Sequence, residues 1–114
     1  MSADCIFCKI FRGEIPAKEV ERTENALVFA DLNAQAPTHL LVIPARHAEN
    51  LTAFTTDAST DEVGALFALA AKIGAAQCPG GYRVVTNTGV DGGQTVHHLH
   101  LHVLGGRHMT WPPG

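Results

Sequence analysis

The chain has 114 residues, 46% of them hydrophobic and 17% charged, which is enough for one buried core and excludes global disorder. A net charge of −3, without a cluster of lysine and arginine, disfavours a nucleic-acid partner, and no apolar stretch is long enough to span a membrane. With no secretory signal visible and no apolar stretch of membrane length, we expect a cytoplasmic protein. Three cysteines are an odd count that argues against a disulfide framework. The unusual feature is seven histidines, five of them from His97 to His108.

The apolar pattern predicts two helices and five extended segments. A short helix comes first, because apolar residues recur there at helical spacing and a glycine follows. Ser59 and Glu62 have the spacing of a capping box and begin the long helix, which ends before Pro79. In chain order the prediction is a helix over 6–13, extended segments over 16–20, 27–30 and 38–43, a helix from 59 to 78, and strands over 82–87 and 96–104.

This order of elements favours a single α+β domain over residues 1–114, with an antiparallel five-stranded sheet, one main helix and a short N-terminal helix. One main helix covers only one face of a sheet well. We therefore expect the other face, or an edge strand, to be buried in a homodimer.

The last predicted strand carries His98, His100 and His102 in strict alternation with apolar residues. On a straight strand the three imidazoles project to one side about 7 Å apart, so the first and third lie about 14 Å apart, too far for one metal ion. The row instead favours nucleophilic catalysis, in which a neutral imidazole attacks phosphorus while its other nitrogen donates to a fixed acceptor. Just upstream, Gly93 offers a backbone N–H and Thr95 a hydroxyl to an anion.

Residues 87–104 resemble the signature of the histidine triad (HIT) family, in which three histidines alternate with apolar residues. The resemblance extends to residues 5–18 and 35–44, and the ending at 105–114 is similar to the histidine triad nucleotide-binding branch. It implies a HIT-like fold whose sheet extends across a homodimer. The implied activity is that of a purine nucleoside phosphoramidase, which splits a P–N bond to release a nucleoside monophosphate such as AMP.

By position, the resemblance implies that His100 is the nucleophile and forms a nucleotidyl-histidine intermediate that water hydrolyses. His102 would contact the phosphate, His98 would orient His100 through its backbone carbonyl, and His39 would support the same hydrogen-bond network. The implied substrate contacts are a ribose-binding acid, Asp31; polar groups at the phosphate and leaving group, Asn87 and Thr95; an apolar base pocket, Phe7, Ile10, Ile15, Leu32 and Leu41; and a C-terminal residue that reaches the partner's site, Trp111. The five apolar residues fit an ordinary core equally well.

Cys5 and Cys8 have the spacing of zinc ligands, although two cysteines are only half a site. His47 and His98 would complete a Cys₂His₂ tetrahedron, as in zinc-binding relatives of the family. We predict a structural zinc and no organic cofactor; the alternative is a pair of reduced cysteines packed in a short helix.

Two other functions stay open. One is a dinucleoside polyphosphate hydrolase of the same family, against which the ending from Trp111 speaks. The other is a nucleotide-binding or zinc-binding adaptor with little turnover.

Overall fold

The computed structural model describes residues 4–114. Its elements in chain order are α1 (Ile6–Phe11), β1 (Glu19–Arg22), β2 (Ala26–Ala30), β3 (Thr38–Pro44), α2 (Leu51–Asp57), α3 (Thr60–Gln77), β4 (Tyr82–Val85) and β5 (Leu101–Gly105). The strands form one five-stranded sheet in the order β1-β2-β3-β5-β4, and every neighbouring pair is antiparallel. The predicted α+β fold with an antiparallel sheet is therefore confirmed.

Local signals explain where the two predicted helices begin. The Sγ of Cys5 accepts a hydrogen bond from the Cys8 N–H at 3.3 Å, which caps α1 with a thiol. Ser59 Oγ accepts from the Glu62 N–H at 3.1 Å, so the N-cap predicted for the long helix is confirmed. Gly13 follows α1 in the left-handed conformation, with φ at +79°, which a residue with a Cβ rarely adopts.

The central strands β2 and β3 are buried on both faces, so their side chains divide between two clusters. Val28 and Val42 point to the face that α2 and α3 cover, where the larger cluster lies. Phe29 and Leu41 point to the opposite face, where α1 packs. Helix α1 thus packs on the second face, and burial of that face or of an edge strand in a homodimer stays a prediction.

Two segments differ from the sequence prediction. Residues 96–100 form no strand, and β5 begins only at Leu101, opposite Val42 of β3. The chain bends there because the side chain of His98 is drawn into a cluster away from the sheet, as described below. The second difference is α2, which was not predicted; Asn50 caps it by accepting the Ala53 N–H at 2.9 Å.

Among the helices that the structure describes, none is both long and apolar enough to cross a lipid bilayer.

Candidate active site and metal centre

His100 lies just before β5 and is held from two sides. Its Nδ1 lies 2.8 Å from the backbone carbonyl oxygen of His98, and its ring and that of Phe7 meet in a T-shaped arrangement with centroids 5.1 Å apart. A carbonyl oxygen can only accept, so Nδ1 carries the proton. In the neutral ring, Nε2 then keeps its lone pair, which is the state that a nucleophile requires.

His39 on β3 and His102 on β5 form a chain whose direction the backbone sets. The N–H of Gln35 donates to His39 Nδ1 at 3.0 Å, so the proton of a neutral His39 lies on Nε2. That Nε2–H faces two acceptors, His102 Nδ1 at 2.8 Å and Asp31 Oδ2 at 3.3 Å. His102 accepts at Nδ1 and so carries its own proton on Nε2, where it can donate to a phosphate oxygen.

Burial keeps His102 neutral. Removal from water, followed by the neighbouring His100 and His39, lowers the pKa of His102 to about 4, and the carboxylate of Asp31 opposes the shift. The ring is therefore a neutral hydrogen-bond donor at neutral pH and not a cation.

These groups share one cavity of about 540 Å³ on the α1 side of the sheet. Its size is in the range of small-molecule sites. Its lining brings together ten of the predicted substrate-binding and catalytic residues: Phe7, Ile10, Ile15, Asp31, Leu32, His39, Leu41, Thr95, His100 and His102. The apolar side chains lie against the sheet, while Leu32 is fully exposed at the rim.

Three predicted substrate contacts lie outside that lining. The amide of Asn87 donates to the Gly92 carbonyl at 2.7 Å, and the N–H of Gly93 donates to the Val90 carbonyl at 3.0 Å. The Gly93 N–H, which was predicted to bind an anion, is thus already hydrogen-bonded within its own loop. Trp111 is 82% exposed and does not line the cavity of its own chain.

The four predicted metal ligands converge on the far side of His98. Its Nδ1 lies 3.2 Å from Cys5 Sγ, 3.4 Å from Cys8 Sγ and 3.2 Å from His47 Nδ1, and Cys8 Sγ lies 3.3 Å from His47 Nδ1. The four donor atoms all lie within 4.8 Å of one another. His98 Nε2 donates to the Pro44 carbonyl at 3.1 Å, which turns the unprotonated Nδ1 toward the cluster.

This donor set fits a structural zinc. Tetrahedral zinc with ordinary bond lengths places its nitrogen and sulfur ligands about 3.3 to 3.8 Å apart, close to the separations found here. Burial, followed by the hydrogen bond and charge of Cys5, raises the pKa of Cys8 to about 11, and burial lowers the pKa of His98 to about 4. Metal binding would therefore find His98 already neutral and would displace the thiol proton of Cys8.

The sequence did not indicate several groups that hold the site together. Gln94 ties the loop before the histidines, because its Nε2 donates to the carbonyls of Glu49 at 2.6 Å and Val96 at 3.0 Å while its Oε1 accepts the Gly89 N–H. Thr86 Oγ1 donates to the His100 carbonyl at 3.0 Å. The backbone carbonyl of Pro44 could not be predicted, because any residue type supplies one. Gln94 could have been considered, because its side-chain amide lies next to the predicted anion-binding glycine.

Comparison with known proteins agrees with this geometry. Residues 12–109 match the HIT domain family. The chain belongs to that family. An uncharacterised HIT-like protein of Synechococcus elongatus is 48% identical over the full length of both chains, and a 14 kDa zinc-binding protein of Zea mays is 45% identical over 96% of this chain and 87% of its own. A HIT family hydrolase from Legionella pneumophila superposes with a TM-score of 0.92 at 46% identity, covering 97% of this chain and all of the other.

A histidine triad protein from Clostridium difficile superposes with a TM-score of 0.88 at 41% identity, over 96% of each chain. The HIT fold and a Cys/His cluster suited to structural zinc are thus shown for this protein. Family membership and a hydrolase neighbour support a hydrolase in general and leave its substrate open.

Proposed function

We propose that this HIT protein is a purine nucleoside phosphoramidase that works through a nucleotidyl intermediate on His100. One observation carries the proposal, the 2.8 Å hydrogen bond between His100 Nδ1 and the His98 carbonyl. It leaves the lone pair of Nε2 available for attack, on a residue that lines the cavity.

The first step would form a bond between His100 Nε2 and phosphorus and break the P–N bond of the substrate. The leaving nitrogen takes a proton from solvent and departs as an amine. His100 retains its Nδ1 proton, and the His98 carbonyl stabilises the positive charge that the ring gains. His102 would donate its Nε2–H to a phosphate oxygen as charge builds up there.

In the second step water attacks phosphorus and the bond to His100 breaks. The water supplies the oxygen of the product monophosphate and releases one proton, which balances the proton taken up by the amine. The imidazole is restored as the same neutral tautomer, because the His98 carbonyl and the Nδ1 proton are unchanged throughout.

The cavity supports a nucleoside as the rest of the substrate. Phe7, Ile10 and Leu41 are buried and form an apolar wall for a base. Asp31 lies at the rim of that wall with its Oδ1 accepting the Asn33 N–H at 2.8 Å, which fixes the carboxylate for the ribose hydroxyls. A zinc held by Cys5, Cys8, His47 and His98 would be structural, and no step requires it.

The proposal includes a homodimer in the cytoplasm. Strand β4 is an edge of the sheet, and its Tyr82 and Val84 are 39% and 37% exposed, which leaves a strand able to pair with a second copy. The exposed Trp111 would then reach the partner's cavity. The three free cysteines suit a reducing compartment.

A single-turnover experiment tests the activity. The protein is mixed with an adenosine phosphoramidate in less than stoichiometric amount, quenched, and measured by intact mass. We expect an adenylyl adduct that decays as AMP appears, and no adduct with His100→Ala. Diadenosine polyphosphate, run in parallel, separates the alternative hydrolase, which would turn it over faster than the phosphoramidate.

Nucleotide binding without adduct or product would refute the enzyme and favour an adaptor. Because His100→Ala removes a buried ring, its folding is checked by thermal denaturation before the comparison is made.

A further inference from the structure

His98 belongs to both sites at once. Its imidazole is fully buried, with Nδ1 at 3.2 to 3.4 Å from Cys5 Sγ, Cys8 Sγ and His47 Nδ1. Its backbone carbonyl is the acceptor for His100 Nδ1. The residue that sets the tautomer of the nucleophile is therefore anchored by the metal cluster.

The segment that carries His98 is joined to the cluster by a backbone hydrogen bond as well as by the His98 ring. Residues 96–100 precede β5 and belong to no strand ladder. The Leu99 N–H, which shares one planar peptide unit with the His98 carbonyl, donates to the carbonyl of Ala48, the residue after His47, at 2.8 Å. The bond from Thr86 to the His100 carbonyl, at 3.0 Å, lies outside that peptide unit. The orientation of the His98 carbonyl therefore depends on where the cluster holds the His98 side chain and on the backbone next to His47.

Helix α1 connects the same cluster to the cavity wall. Cys5 caps the helix and Cys8 lies in it, and between them Phe7 contacts both histidine rings, at centroid distances of 6.0 Å to His98 and 5.1 Å to His100. A displacement of the cysteines would therefore move the ring that packs on the nucleophile.

We infer that Cys5, Cys8 and His47 act through His98 as positioning residues for His100. Zinc held by these three side chains and that of His98 keeps His100 in its Nδ1–H tautomer. The inference rests on the proposed role of His100 as nucleophile. It goes beyond a structural metal, because it predicts that an intact fold without the cluster has a misdirected nucleophile.

The first test reads the tautomer directly. Long-range ¹H–¹⁵N NMR of the imidazoles, at a pH where His100 is neutral, distinguishes protonated Nδ1 from protonated Nε2. We expect Nδ1–H alone for His100 in the zinc-loaded protein, and a mixture of both tautomers after chelation or in Cys8→Ser. Returning zinc to the chelated wild type should restore the single tautomer.

The second test reads the chemistry, with Cys78→Ser as the matched control. Cys78 is also a buried free thiol but lies outside both sites, so its replacement reproduces the loss of a buried sulfhydryl. At a temperature where each variant is folded, we expect the single-turnover rate of adduct formation to fall about 10- to 100-fold in Cys8→Ser and to be unchanged in Cys78→Ser. If Cys8→Ser does not fold, His47→Gln is used instead, because His47 is only half-buried.

Wild-type tautomer and rate in folded Cys8→Ser or chelated protein would overturn the inference and leave the cluster purely structural. The two failures can be told apart. If the wild-type protein forms no adduct, the proposed activity fails, while the NMR experiment still decides whether the cluster sets the His100 tautomer.

Discussion

Two glycines of α3 provide a test of how closely that helix packs on the sheet. Gly64 is exposed, and a Cβ added there would meet nothing within 4 Å. Gly74 is buried, and a Cβ there would lie 2.6 to 2.7 Å from ring atoms of Tyr82 in β4. Helix propensity alone predicts that alanine stabilises the protein by about 1 kcal/mol at either position.

The contact with Tyr82 changes that expectation at one of the two sites. Overpacking costs about 1 to 3 kcal/mol, so Gly74→Ala should be neutral to about 2 kcal/mol destabilising, while Gly64→Ala should stabilise by about 1 kcal/mol. Urea denaturation of both variants at one protein concentration measures the difference, which equals the overpacking cost. Equal stabilisation by the two alanines would show that α3 does not approach β4 this closely.

Three further predictions concern the cavity and the loop before the histidines. Because the pKa of His102 is lowered from 6.5 to about 4, the unfolded chain takes up a proton at a higher pH than the folded protein. The free energy of unfolding should therefore decrease as the pH falls from 6.5 to 4, and urea titrations of His102→Asn should show a shallower decrease. Asp31→Asn should abolish the preference for AMP over its 2′,3′-dideoxy analogue, so the difference between their binding free energies, measured by calorimetry, should fall by about 1.5 to 3 kcal/mol. An unchanged preference would show that Asp31 does not bind the ribose. Gln94→Ala should lower the free energy of unfolding, measured by urea denaturation, by about 1 to 3 kcal/mol and should slow adduct formation. Wild-type values for both would show that the loop does not depend on the hydrogen bonds of Gln94.

The parts of the fold that follow from local signals were predictable. Strands β2 and β3 are runs of buried apolar residues and lie within one residue of their predicted bounds. The α3 N-cap depends on Ser59 and its neighbours alone. Helix α2 was missed because its sequence is rich in threonine and buries only Phe54, so neither propensity nor apolar periodicity marks it.

The candidate site depended more on tertiary structure than its motif suggests. The cavity brings together ten of the residues that the family resemblance supplied and leaves out Asn87 and Trp111. A bare apolar pattern could not tell a base pocket from a core. The strict alternation of His98, His100 and His102 predicted one strand with three parallel rings. Contacts with Cys5 and Cys8, 93 and 90 residues earlier in the chain, decide otherwise, and a local pattern carries no information about them.

The break before β5 is what allows one histidine pattern to serve two sites. In a strand, the carbonyl of His98 would be committed to the ladder, and its ring would point the same way as that of His100. Outside the ladder, the ring turns to the cysteines, and the carbonyl is left to accept a hydrogen bond from His100 Nδ1 at 2.8 Å. His102 is the one histidine of the three that lies within β5; it keeps the strand geometry and contacts His39 across the β3–β5 pair. The irregular backbone at 96–100 therefore separates the Cys/His cluster from the histidines of the cavity, while His98 connects the two.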